Sequence, residues 1–214
     1  MSIVELQPAA LAPSAPPEVN WQRTHVTRQL EVVGDVAEAI WEMYEEAFAP
    51  LDELAAQRHL WTREEVLAEL ANPAIVKFIG WSGDRPVGLA MITNELELVP
   101  MISPAFLRHR FPEQASRNAI FYGIVIFVRA GFRGKTLFAR LGALMGQETA
   151  LHQGVVLFDV CSYNREHRAV DDNLGQLAVP FRNSSMTMVD QQSWFAIELP
   201  EPMDELSARL RVHQ

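Results

Sequence analysis

Residues 119–145 read AIFYGIVIFVRAGFRGKTLFARLGALM. The ten-residue apolar run 119–128 is rich in β-branched and aromatic side chains and predicts a buried strand. A basic turn follows, carrying Arg129, Arg133 and Lys135. From about residue 135 to 152, Leu137, Leu141, Leu144, Met145 and Leu151 recur at helical spacing, and Gly154 is expected to stop that helix. Strand, basic turn and helix together suit a phosphate. Successive backbone N–H groups from about residue 132 to 137 converge on one spot, and the helix dipole adds partial positive charge there.

Upstream, THVTRQLEVV predicts a first strand, and Asp35 is expected to cap DVAEAIWEMYEEAFAPL as a helix. In TREEVLAELANP, Thr62 and Glu65 form a capping box. AIVKFIGWSGDRPVGLAMITNEL reads as two strands joined at Gly83. Residues 95–118 interrupt this regularity with a proline-bracketed short helix. Downstream come a short apolar strand, VVLFDV, a helix in EHRAVDDNLGQLAV, two strands in SMTMVD and SWFAIEL, and an amphipathic tail helix. Residues 1–23, rich in Pro and Ala from residue 7, read as a mobile arm, and 24–214 as one domain.

The chain has 214 residues and a formal net charge of −9, from 18 Lys+Arg against 27 Asp+Glu. That balance argues against general binding to nucleic acid or an anionic membrane surface. A single cysteine, Cys161, excludes an internal disulfide and favours a reducing compartment. The N-terminus lacks the basic and apolar regions of a signal peptide, and the longest apolar run is too short to span a bilayer, so the expected location is cytoplasmic.

Gly134-Lys135-Thr136 invites a nucleotide P-loop, which needs a further glycine at position 129. That position is Arg129, which obstructs the turn the glycine permits. Asp159 at the end of VVLFDV imitates a magnesium-holding acid, but too few strands follow the loop for a nucleotide-hydrolase core.

Residues 24–199 resemble the GCN5-related N-acetyltransferases in element order. The most specific part is IVIFVRAGFRGKTLFARLGALM, where Arg133, Gly134 and Lys135 fit the start of the family's Arg/Gln-x-x-Gly-x-Gly/Ala acyl-CoA motif and Phe132 suits the aromatic that often precedes it. The resemblance implies an α/β fold with a mixed, mostly antiparallel sheet flanked by helices and splayed between strands four and five. It implies acetyl-CoA or another acyl-CoA as co-substrate, no metal, and a small amine or peptide as acceptor. Residues 132–137, namely Phe132, Arg133, Gly134, Lys135, Thr136 and Leu137, would hold the pyrophosphate. The backbone of Ile126, Phe127 and Val128 would pair with the pantetheine arm, and an N–H near Phe127 or Val128 would face the oxyanion. Asn164 corresponds to a family asparagine past strand five.

Candidate bases are Glu95, at the end of the third sheet strand, and Tyr122 on the central strand. The family's acid is a tyrosine seven or eight residues past that asparagine, but Asp171, Asp172 and Asn173 occupy this region, leaving Tyr163 as the nearby substitute. Thr136 stands where the motif has its second glycine, and Phe138 where it has a small residue. These departures keep open a non-catalytic acyl-CoA-binding or interaction protein on the same fold. His109, flanked by Arg108 and Arg110, reads as a surface residue, and His167 with Asp171 as an ion pair rather than a metal site. The 95–118 insertion is expected to shape acceptor choice, a dimer contact or plain core packing being the alternatives, and a homodimer stays open.

Overall fold

The computed structural model describes residues 24–56, 61–132, 136–168 and 184–198. Five strands lie in sequence order: β1 (Thr24–Gln29), β2 (Val76–Ser82), β3 (Arg85–Thr93), β4 (Ile120–Val128) and β5 (Val155–Leu157). Pairing is antiparallel from β1 to β4 and parallel between β4 and β5. The β2–β3 hairpin turns at Gly83, whose φ of 60° is a conformation that side chains disfavour.

Alternation along the strands sorts side chains into two layers. On one face Ile79, Leu89, Met91 and Phe127 meet α1 (Asp35–Phe48) and α3 (Arg63–Ala71) through Ile40, Met43, Tyr44, Val66 and Leu70. A short helix, α2 (Leu51–Leu54), links these two. The capping box forms as expected: the Glu65 N–H donates to the Thr62 hydroxyl, and the Thr62 N–H to the Glu65 carboxylate. At α1 the cap is Gly34, with φ 65°, and Asp35 is the first helical residue. There its charge favours the helix dipole without a side-chain cap.

On the other face, α6 (Thr136–Leu151) lies in a trough of glycines. A Cβ at Gly80 would come within 2.7 Å of Leu137, at Gly88 within 3.1 Å of Leu141, and at Gly123 within 3.0 Å of Met145. Leu137, Leu141 and Met145 are four residues apart, so one α6 stripe settles on one glycine from each of β2, β3 and β4. Gly154 does not supply the left-handed stop. Gln153 does, at φ 50°, while a Cβ at Gly154 would sit 2.6 Å from the Ala119 carbonyl oxygen.

The insertion folds as a 3₁₀ turn (Leu96–Leu98), α4 (Pro104–Arg110) and α5 (Pro112–Ala115). Leu96, Val99 and Leu107 bury against Ile120 and Tyr122 as a third, smaller core. The helix past β5, α7 (Ser162–Arg168), begins four residues earlier than EHRAVDDNLGQLAV. The expected strands in 185–199 are not present in the described residues 184–198, where Trp194, Phe195 and Ile197 are 63%, 92% and 83% exposed. Their apolar character suits a strand, but β5 presents only three residues before the chain turns towards α7, a short template for a ladder. The 1–23 arm and the tail helix lie outside the described residues.

Candidate active site

The site is built around the edge of β4. β5 pairs with it at three positions, Ile120 with Val155, Phe121 with Val156 and Tyr122 with Leu157. Past Tyr122, no described strand covers that edge. The β3–β4 register slips at the same place: Met91 faces Val125 and Ile92 faces Gly123, leaving Ile124 as an extra residue. Such a bulge bends and twists a strand, and here it coincides with the separation of β4 from β5.

Beyond the bulge the ladder fixes which backbone groups are available. The Arg129 N–H donates to the Val87 carbonyl at 2.9 Å, and Val128 faces Gly88. Arg129–Val87 is therefore a hydrogen-bonded pair, and alternation makes Phe127–Leu89 another. The N–H and C=O of Ile126 and Val128 turn the other way, onto the open edge. Of the two N–H groups expected near an oxyanion, Val128's faces that edge and Phe127's faces β3. The Phe127 ring lies on the α1 side, edge-on to Tyr44 and Phe48.

After β4, the Phe132 N–H donates to the Arg129 carbonyl at 2.8 Å and closes a 3₁₀ turn, Ala130–Phe132. Arg133, Gly134 and Lys135 lie outside the described residues. Thr136 opens α6 with its side chain exposed. Leu137 is buried in the glycine trough, so its backbone alone is available to a ligand. Phe132 and Phe138 both pack against the α6-side core, which accommodates the bulk of Phe138. Arg129 is held by α1: its Nε donates to the Glu46 carboxylate at 3.0 Å.

Tyr122 and Asp159 meet where β4 and β5 part. The Tyr122 hydroxyl donates to Asp159 Oδ1, with Met101 Sδ 4.0 Å from the same hydroxyl. Tyr122 is buried beneath Leu96, Val99 and Leu107, whereas Asp159 is exposed. Burial, then the Asp159 charge and hydrogen bond, raise the phenol's pKa well above its ordinary value. The tyrosine is thus held protonated, as a donor rather than a base. Asp159 was legible in the sequence only as the acid ending an apolar run; its pairing with Tyr122 needs the parallel register.

Asn164, on α7, has a buried Oδ1 with no hydrogen-bond partner among the described residues. Tyr163 stacks on His167 at 4.7 Å between ring centroids. Glu95 is exposed just past β3, and its N–H donates to the Thr93 hydroxyl at 3.0 Å. His109 is exposed on α4. Asp171, Asp172 and Asn173 lie outside the described residues. Among the described residues no group of three or more His, Cys, Asp and Glu could hold a metal, and no helix is long and apolar enough to cross a membrane.

No family model and no curated protein matches the chain. Solved structures do. A protein from Bacillus halodurans superposes with a TM-score of 0.52 at 12% identity, covering 81% of this chain and 99% of that one. A possible acetyltransferase from Clostridium difficile gives 0.51 at 14%, covering 82% and 99%. An aminoglycoside acetyltransferase from an uncultured soil metagenomic sample, in complex with sisomicin, gives 0.49 at 12%, covering 82% and 98%. At these identities the likeness is one of fold: the chain has the mixed, splayed sheet of the GCN5-related N-acetyltransferases.

Proposed function

We propose that the chain is an acyl-CoA-dependent N-acyltransferase, with acetyl-CoA as the default donor and a small amine or peptide as acceptor. The observation that carries this reading is the open edge of β4, where the backbone groups of Ile126 and Val128 have no strand partner among the described residues. A pantetheine arm adds to such an edge as a strand would, and the orphaned Asn164 acceptor satisfies an amide N–H. The acyl-CoA supplies an activated thioester. The Val128 N–H is the donor placed to stabilise a tetrahedral oxyanion. Arg133, Gly134, Lys135 and the backbone of Thr136 and Leu137 hold the pyrophosphate, while Arg129 is engaged by Glu46. Glu95 and Tyr163 are the other candidates for base and acid, and Tyr122 acts as a donor to Asp159.

A thermal-shift series tests the reading. At a hundredfold excess over Kd, CoA or acetyl-CoA should stabilise the protein by about 2.7 kcal/mol. Arg133→Glu should abolish that shift and leave the ligand-free melting temperature unchanged. A response to ATP with magnesium alone, or to none of these ligands, overturns the proposal. Thr136 in place of the motif's second glycine favours a second reading, a non-catalytic acyl-CoA-binding protein. Thiol release from acetyl-CoA across an amine panel separates the two.

A further inference from the structure

We infer that Asp159 is the recognition point for the acceptor, and that the acceptor reaches it as a cationic amine with an apolar body. The inference rests on the acyltransferase reading and deepens it.

Asp159 stands two residues past the last β4–β5 pair, Tyr122 with Leu157, at the mouth of the splay. One carboxylate oxygen accepts from Tyr122, a side chain buried on the inner side by the insertion. That contact orients the carboxylate of a side chain that is otherwise exposed. No Lys, Arg or His among the described residues forms an ion pair with Asp159, whereas Glu38, Glu46, Glu97 and Glu148 each have an arginine. An oriented acid without a cationic partner among the described residues selects for positive charge.

The apolar half of the inference comes from Met101. Its Sδ lies 4.0 Å from the Tyr122 hydroxyl, and the residue is 49% exposed, so its thioether adjoins the same spot from the insertion side. Leu98 and Phe106 are also exposed on that insertion. A flexible thioether accepts irregular apolar surfaces. An acid with an exposed thioether at the same spot suits an alkyl or arylalkyl amine.

Asp159 recognises the charge and Tyr122 is its positioning residue; neither takes up the amine's proton in this arrangement. A pair of probes of similar shape isolates the charge: benzylamine, a cation at pH 7.5, and aniline, neutral at that pH. Binding is measured by titration of each into protein saturated with CoA, and, with acetyl-CoA, as KM and kcat for thiol release. Asp159→Asn should weaken benzylamine binding about tenfold or more and raise its KM by the same factor. It should leave kcat, aniline binding and stabilisation by CoA unchanged. Tyr122→Phe should shift benzylamine in the same direction by a smaller factor.

Equal losses for both probes, a fall in kcat with KM unchanged, or failure of wild-type protein to bind benzylamine more tightly than aniline would overturn the inference. Because binding is read with CoA alone, it can fail while the CoA response stands. Conversely, absence of thiol release with benzylamine binding intact removes catalysis and keeps the recognition point.

Discussion

At Ile120–Tyr122, β4 is paired with β5, and β3 joins on the other edge at Tyr122; at Ile126–Val128 its one described neighbour is β3. Six residues of one apolar strand thus serve two purposes. In the first half the side chains are buried and the β5 edge is paired, and Tyr122, with β3 on its other edge, can hold Asp159 because its own surroundings are fixed. In the second half the side chains still bury, Phe127 towards α1 and Val128 towards α6, while alternate backbone groups are left over. Support and binding separate by backbone direction, not by residue type. A bulge at Ile124 and a three-residue β5 are enough to separate them.

The most forceful way to break this comparison is to remove single N–H groups from the open half. Phe127→Pro removes a donor directed at β3 and a ring packed edge-on to Tyr44 and Phe48; it should cost more than about 4 kcal/mol. Ile126→Pro removes a donor directed at the open edge. It should cost about 1–2 kcal/mol, as an edge proline does, and abolish stabilisation by CoA. Urea titrations of both variants check the contrast; equal costs would show that the inferred alternation is wrong.

A smaller effect is expected in the paired half. Gly154→Ala drives a methyl against the Ala119 carbonyl where β4 and β5 begin, and should cost about 2–3 kcal/mol. For a chain of this size that lowers the melting temperature by roughly 4–12 °C. The CoA response, measured as the additional shift, should persist.

Next comes a pH signature away from both halves. Lys77 on β2 is fully buried, its ammonium donating to the Leu30 carbonyl at 2.8 Å and to the Asn72 carbonyl. Burial pushes its pKa down to about 8, against the pull of Glu69 and Glu31. Between pH 8 and 10 the unfolded chain binds more protons at this residue than the folded one, so its contribution makes stability rise with pH. The expected gain is about 1–2 kcal/mol. Comparing urea midpoints across that range with those of Lys77→Met, whose profile should be flatter, isolates the effect.

Smallest is Arg129→Ala. Its partner Glu46 is half-exposed, so the loss should stay below about 1 kcal/mol. CoA binding should be unchanged by calorimetry, in contrast to Arg133→Glu. A large loss of affinity would return Arg129 to the site.

The strand–turn–helix at 119–145 was legible because its signals are local: a continuous apolar run, a basic turn and a four-residue stripe. The capping box at Thr62 and the turn at Gly83 were legible for the same reason. What escaped depends on partners distant in sequence. The Tyr122–Asp159 contact spans 37 positions and follows from parallel pairing that no motif encodes. Gly80, Gly88 and Gly123 carry no local signal of a shared role, which appears only when α6 is laid across them. The last two strands were misread because alternation reports what a segment prefers beside a partner, and β5 provides a very short one. Gly154 was misassigned because a glycine required by a neighbour's carbonyl is indistinguishable, in sequence, from one required by its own φ.

The glycine trough has a consequence for how α6 holds its station. A helix resting on side chains inherits their rotamer hopping as jitter in its height. Beneath the contacts of Leu137, Leu141 and Met145 there is bare main chain, which has no rotamers to exchange. The start of α6 is therefore set like a rail bolted to its bed, and the backbone amides of Thr136 and Leu137 keep their height above the sheet whatever the exposed side chain at Thr136 does.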